Sequence, residues 1–229
     1  AVILEPLPAN FGLLIQRREF LDRIFQLSRH YGSLVIFDEV ISGFRVARGG
    51  MAERACFVPD LVTYGKVIGG GFPVGCYGGR KDLMDQVAPA GPVYQAGTLS
   101  ANPVGMQAGL ATLGKIEREN LYQRLQEQTE KFCQDLNQKL ATKALPFQLT
   151  HYGSLFWLHP KSKEPYRSLQ DFSSNHAEQF REVFHKCLNK GLFLAPSGFE
   201  VSFMSAAHTP DILSEASRIL VEAIPEAYA

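Results

Sequence analysis

Leu34-Val35-Ile36-Phe37-Asp38-Glu39 is the stretch on which the fold turns. Four apolar residues run without a break and stop at two carboxylates. A continuous apolar run of this length suits a strand covered on both faces, as in a parallel sheet. Upstream, Glu19 to His30 carries Phe20, Leu21, Ile24, Phe25 and Leu27 at helical spacing, and Gly32 follows as a C-terminal stop. Ala1 to Glu5 reads as a short strand ending in a carboxylate, and Pro59 to Tyr64 as another that leads into Gly65-Lys66. Strands alternating with helices are the grammar of an α/β domain. Functional groups in such domains gather at the carboxyl ends of the strands, where Glu5, Asp38 and Lys66 all fall.

Further along, Gly69-Gly70-Gly71-Phe72-Pro73-Val74-Gly75 and then Pro89 to Pro103 read as loops. Asn102 caps a long helix with Pro103 in its first turn. That helix runs from about Val104 towards Asn137, with a break near Asn120. The texture changes after Ala144-Leu145-Pro146. Strands are expected at Leu155–Leu158, Leu192–Ala195 and Val201–Met204, and helices over Asn175–Lys190 and from Thr209-Pro210 onward. The expected organisation is therefore residues 1–145, an α/β portion with a mostly parallel sheet that includes the long helix, and residues 146–229, a small α+β domain.

Several classes of function are disfavoured. Lys+Arg and Asp+Glu both number 23, and no basic run is present, so nucleic acid and anionic membrane surfaces are not expected partners. No apolar run approaches the roughly 20 residues that span a bilayer. The six histidines lack metal-type spacing, so no metal site is expected. Cys56, Cys76, Cys133 and Cys187 form no Cys-x-x-Cys pair and read as buried, reduced thiols of a reducing compartment, with cytoplasm expected and a plastid as the alternative. The chain opens inside what reads as a buried strand, which suggests a piece of something longer.

Three positions stand out chemically. Lys66 follows a strand and precedes Val67-Ile68 and three glycines. In apolar company a lysine is biased toward the neutral amine that Schiff-base chemistry requires. A solvated loop lysine fits the same context. Asp38 ends a buried strand and needs a cationic partner, either a protonated heterocycle or an arginine such as Arg45. Thr98, between Gly97 and Ser100 and ahead of the Pro103 helix, suits either phosphate binding or plain capping. The glycine cluster fits no Walker A pattern, since Val67 follows Lys66, and it is no dinucleotide fingerprint.

The ordered set is more specific than its members. Phe37-Asp38-Glu39-Val40 with Gly43-Phe44-Arg45, followed by Gly65-Lys66-Val67-Ile68-Gly69-Gly70-Gly71, resembles the signature of the class III aminotransferases, which have the type I fold of pyridoxal-phosphate enzymes. Pro73–Arg80, Ala88–Ser100 and Ala195-Pro196-Ser197 to Phe199-Glu200 resemble the glutamate-1-semialdehyde aminomutase branch in particular. The pattern departs from that branch at Leu7-Pro8-Ala9 and at Ala101.

The resemblance implies a cofactor, pyridoxal 5'-phosphate or pyridoxamine 5'-phosphate. It implies that Lys66 binds the cofactor covalently and moves protons, that Asp38 pairs with the pyridine nitrogen and that Val40 packs on the ring. By the same resemblance Asn10 lies near the phenolic oxygen, Thr98 reaches the phosphate of a partner subunit's cofactor in a homodimer, and Glu200 stands at the substrate end. The implied reaction is an intramolecular amino transfer, glutamate 1-semialdehyde to 5-aminolevulinate, in tetrapyrrole biosynthesis. The family's N-terminal half is missing from the chain, so little activity is expected of it alone. The alternatives are a class III ω-aminotransferase, or a non-catalytic remnant or subunit that only completes a partner chain.

Overall fold

The computed structural model describes residues 1–227 and forms two compact units. The first comprises Ala1–Leu7 and Gln16–Asn120; the second comprises Pro8–Ile15 and the chain from Leu121 onward.

The first unit is built on a four-stranded sheet of β1 (Val2–Leu4), β2 (Val35–Asp38), β3 (Leu61–Tyr64) and β4 (Cys76–Gly79), in that order. The pairs β1–β2 and β2–β3 are parallel and β3–β4 is antiparallel. Helix α1 (Arg18–His30) connects onward to β2, and α2 (Gly50–Ala55) lies between β2 and β3. Gly32, with φ of 64°, follows α1 in the left-handed conformation that ends many helices. Phe25 of α1 meets Phe37 of β2 edge-on at 5.6 Å and stacks on Phe57 at 4.5 Å, and Leu4, Ile24, Ala52 and Val62 close this core. Burial of these side chains, worth about 1.5–3 kcal/mol each, fixes β2 in the middle of the sheet. A short helix α3 (Lys81–Met84) and the long α4 (Pro103–Arg118) complete the unit.

In the second unit, α5 (Leu121–Thr142) buries Leu121, Leu125, Thr129, Phe132, Cys133, Leu136 and Leu140 along one stripe. Its Asn137 side chain brackets Leu149, accepting from the backbone N–H at 2.7 Å and donating to the carbonyl at 2.9 Å. Leu149 belongs to β5 (Phe147–Tyr152), which pairs with β6 (Leu155–Pro160) in an antiparallel hairpin. Helix α6 (His176–Asn189), the two-residue β7 (Ser202–Phe203) alongside β6, and α7 (Pro210–Ala227) follow.

The expected break in the long helix falls at Asn120, whose φ of 47° cannot continue a right-handed helix. The compact units also change at Asn120, because the buried stripe of α5 packs with β5 and β6. The structure differs from the sequence expectation in the strands of the second unit and in the burial of the cysteines. Residues 192–195 form no strand, and the strand expected over 201–204 shortens to two residues. Finally, only two of the cysteines are buried: Cys133 and Cys187 are enclosed, with thiols pushed up to about 12 by burial, whereas Cys56 and Cys76 are exposed. Among the described residues no helix is long and apolar enough to cross a membrane.

Candidate active site

Two strand ends bring the first group of residues together. Asp38 closes β2 in register with Thr63 of β3, and Lys66 follows three residues later. The Asp38 Oδ1 accepts from the Val40 N–H at 3.1 Å and from the Thr63 hydroxyl at 3.4 Å. Among the described residues its Oδ2 has no hydrogen-bond partner, and neither has the Lys66 amine. Val40 packs over Gly65, where a Cβ would sit 3.3 Å from one of the valine methyls. A carboxylate, an apolar branched side chain and a primary amine are thus gathered at the carboxyl ends of two parallel strands, where open α/β sheets carry their ligands.

Lys66 opens a 3-10 turn, Lys66–Gly69, and has φ of 47°. A left-handed non-glycine residue costs about 1–2 kcal/mol and persists only where its surroundings enforce it. Helix α4 supplies the enforcement. It presents Ala108 and Gly109 to the turn, so closely that a Cβ at Gly109 would fall on the Ile68 carbonyl oxygen. Gly70 sits equally tightly, since its Cβ would come within 2.5 Å of the Ala108 carbonyl and the Thr112 hydroxyl. The lysine itself is exposed, so this chain does not supply the apolar surroundings expected from its neighbours in sequence.

Thr98 lies in an exposed loop that runs into α4. Asn102 caps α4 by accepting from the Gly105 N–H at 2.8 Å while its amide donates to the Leu99 carbonyl at 3.1 Å. The capping therefore belongs to Asn102, and the Thr98 hydroxyl is left without a described partner. Beside it, residues 73–77, 95, 97, 99–102 and 106 line a cleft of about 510 Å³.

Asn10 and Glu200 fall in the second unit, apart from the four residues above in the division of the chain. There the structure brings their two loops together. Phe11 stacks on Phe199, and the Gly12 N–H donates to the Phe199 carbonyl at 2.6 Å. Both loops rest on Trp157. Gly12, with φ of 77°, lies so close to the indole that its Cβ would be 2.9 Å from the ring. The Trp157 N–H and the His176 Nε2 each reach the Gly198 carbonyl, at 2.8 and 3.0 Å. Asn10 and Glu200 are both exposed.

The sequence reading missed three contributors. Glu39 is fully buried and bonds to the turn after β2. The small residues of α4 set its approach to the Lys66 turn. Trp157 with His176 forms the floor under Gly198. The only signals for them were a second carboxylate after Asp38, a glycine spacing of four in α4 and a lone tryptophan.

Residues 1–224 match the family model described as aminotransferase class-III. The chain belongs to the class III aminotransferases. Among class III relatives, a glutamate-1-semialdehyde 2,1-aminomutase of Bdellovibrio bacteriovorus is 52% identical over 223 residues, which is 97% of this chain and 52% of that protein. The chain thus spans about half the length of the curated relatives it matches. The crystal structure of an omega-transaminase from Sphaerobacter thermophilus superposes with a TM-score of 0.90 at 32% identity, covering 100% of this chain and 52% of that one. A glutamate-1-semialdehyde aminomutase from Pseudomonas aeruginosa PAO1 in complex with PMP has a TM-score of 0.86 at 20% identity, over 99% of this chain and 52% of that one, and shares the fold. The mixed sheet and helices of the first unit are those of the class III fold.

Proposed function

We propose that this chain is the lysine-bearing part of a pyridoxal-phosphate enzyme that converts glutamate 1-semialdehyde to 5-aminolevulinate. The observation that carries the reading is the meeting of Asp38, Val40 and Lys66, with an Asp38 oxygen and the Lys66 amine both left without partners among the described residues. This set fits the cofactor. A carboxylate oxygen is available for a pyridinium N–H, an apolar side chain for a ring face and an amine for an aldehyde. The name and 52% identity of the Bdellovibrio relative support the choice of reaction.

When bound, pyridoxal phosphate supplies an electron sink for charge developing on a substrate carbon. Asp38 holds the ring nitrogen protonated, because an opposite charge close by favours the charged form. Lys66 anchors the cofactor and moves protons at the reacting carbons, a service worth about 10²–10⁴-fold. Val40 packs against the ring. Asn10 serves the phenolic oxygen, Thr98 the phosphate of the partner's cofactor in a homodimer, and Glu200 the substrate end. In domain terms residues 1–145 belong to the large cofactor-binding domain and residues 146–229 to a small C-terminal α+β domain. The setting is the cytoplasm.

Borohydride reduction of the chain mixed with pyridoxal phosphate, followed by peptide mass spectrometry, tests the cofactor half of the reading. Selective labelling of Lys66 is expected. Labelling spread over the surface lysines would sink it. The reaction is tested with the N-terminal half of an aminomutase relative added: product is expected from glutamate 1-semialdehyde with no separate amino donor.

An ω-aminotransferase exchanging nitrogen between two substrates is a second reading, supported by the 32% identity to the Sphaerobacter omega-transaminase. Glu200 favours the aminomutase, since ω-aminotransferases of the family often place an arginine in this part of the chain. Turnover that requires both an amino donor and a keto acid would decide for the second reading.

A further inference from the structure

Glu39 is the one carboxylate among the described residues with no exposed surface at all. An unpaired buried carboxylate is expensive, so its partners say what it is for. Its Oε2 accepts from the Ser42 hydroxyl and from the Met51 N–H, both at 2.7 Å, and its Oε1 accepts from the Ala52 N–H at 2.8 Å. The last two donors are free N–H groups of the first turn of α2, and the partial positive charge there offsets the carboxylate. The backbone of the same residue is tied on both sides. Its N–H donates to the Thr63 carbonyl at 3.0 Å, and its carbonyl accepts from the Gly43 N–H at 2.8 Å.

The neighbours are shaped around this carboxylate. Gly50 has φ of 62°, and a Cβ there would overlap the Glu39 carboxylate. Ser42, at 1% exposure, is enclosed with it. Gly43 leaves room for the Tyr64 ring, which a Cβ would strike. Burial, and after it the Glu39 charge, holds the Tyr64 hydroxyl above its usual range, so the charge is felt at the residue two before Lys66.

Glu39 itself has no route to a bound ligand, but its chain neighbours are Asp38 and Val40. We propose that Glu39 is a positioning residue, whose buried carboxylate ties β2 to α2 and thereby sets the direction of Asp38 and Val40 towards the Lys66 turn. The functional part of this inference rests on the cofactor reading given above. The positional part does not. With Thr63 holding its N–H and α2 its side chain, residue 39 has no freedom to rotate, and the side chains on either side inherit that constraint.

The test uses the 229-residue chain with Glu39→Gln and Ser42→Ala. The glutamine keeps shape and one acceptor but turns an NH₂ group towards one N–H donor. Circular dichroism and thermal melts establish that each variant is folded. Amide hydrogen exchange at Val40, whose N–H bonds to Asp38 Oδ1, then reads the placement of Asp38 directly. In folded Glu39→Gln the exchange of Val40, Met51 and Ala52 is expected to rise about tenfold while the rest of the chain keeps its protection, with Ser42→Ala smaller in the same direction. The dissociation constant for pyridoxal phosphate at Lys66 is expected to rise about tenfold alongside, with a shifted absorption band of the bound cofactor. Unchanged Val40 exchange in folded Glu39→Gln, or a uniform rise over the whole chain, would overturn the positioning role. A wild-type chain that never takes up pyridoxal phosphate at Lys66 would instead overturn the cofactor reading, and the exchange data would still decide the positioning of Asp38.

Discussion

Phe11 lies flat on Phe199, with ring centroids 4.3 Å apart and planes within 18°. Each ring adjoins in sequence a residue proposed for the site, Asn10 on one side and Glu200 on the other. The stack and the Gly12–Phe199 hydrogen bond join a loop near the start of the chain to one near its end. A double-mutant cycle of Phe11→Ala and Phe199→Ala should give a coupling of about 0.5–1.5 kcal/mol in denaturant unfolding of the second unit. Zero coupling would mean that the two loops are held by the backbone alone.

Acid should loosen the same region. His159 and His176 are both about 1% exposed and ring Trp157, with centroids at 4.3 and 6.2 Å. Burial pushes His159 down to about 4 and lowers His176 as well. A histidine depressed in the folded state takes up its proton first in the unfolded chain. Stability is therefore full above about pH 6.5, falls with pH through the window down to about 4, and levels off below. For His159 the whole fall is roughly 3 kcal/mol. Urea titrations of wild type and His159→Gln between pH 7 and 4 check this. The variant should show a shallower slope, and parallel slopes would refute the assignment.

Gly109 is where α4 meets the Lys66 turn. Gly109→Ala would press a methyl group onto the Ile68 carbonyl, and overpacking of this kind costs about 1–3 kcal/mol. Ala is the better helix former, so on propensity alone the change should stabilise α4. A lower melting midpoint together with weaker borohydride labelling of Lys66 is expected. A higher midpoint would show that the helix and the turn can part without cost.

Asn102→Ala removes the cap of α4 and the tie to Leu99 in one step. A loss of about 1 kcal/mol is expected. Faster amide exchange should appear in the first turn of α4 and in the loop bearing Thr98, and protection elsewhere should hold.

Lys66→Ala should abolish selective labelling by pyridoxal phosphate and borohydride. In the enzyme completed with a relative's N-terminal half it should lower turnover by at least about 10²-fold, the low end of what a positioned acid–base group contributes. Persistent labelling at one other lysine would move the anchor.

Much of the first unit was legible because its signals are local. The apolar run before Asp38 gives β2, the spacing from Phe20 to Leu27 gives α1, and Asn102-Pro103 starts α4. Asp38 and Lys66 could be placed at strand ends for the same reason, whereas Val40 came from the resemblance alone. What escaped depends on partners distant in sequence. Pro8–Ile15 joins the second unit through Gly12 and Phe199, and no periodicity announces such a pairing. Cys76–Gly79 is a strand through its pairing with β3, against the low strand preference of its glycines. Leu192–Ala195 has the right composition for a strand but finds no edge to pair with. Lys66 has apolar neighbours along the chain, yet the fold turns it outward.

The contribution of Pro8–Ile15 to the second unit has a consequence for how the protein comes to be. On the ribosome these residues emerge well before the indole of Trp157 that Gly12 is to cover. They must stay available until the rest of the second unit has followed. Closure of the Trp157 floor thus waits for both loops, and the segment from Leu121 onward, produced by itself, would lack the glycine that lies against its indole.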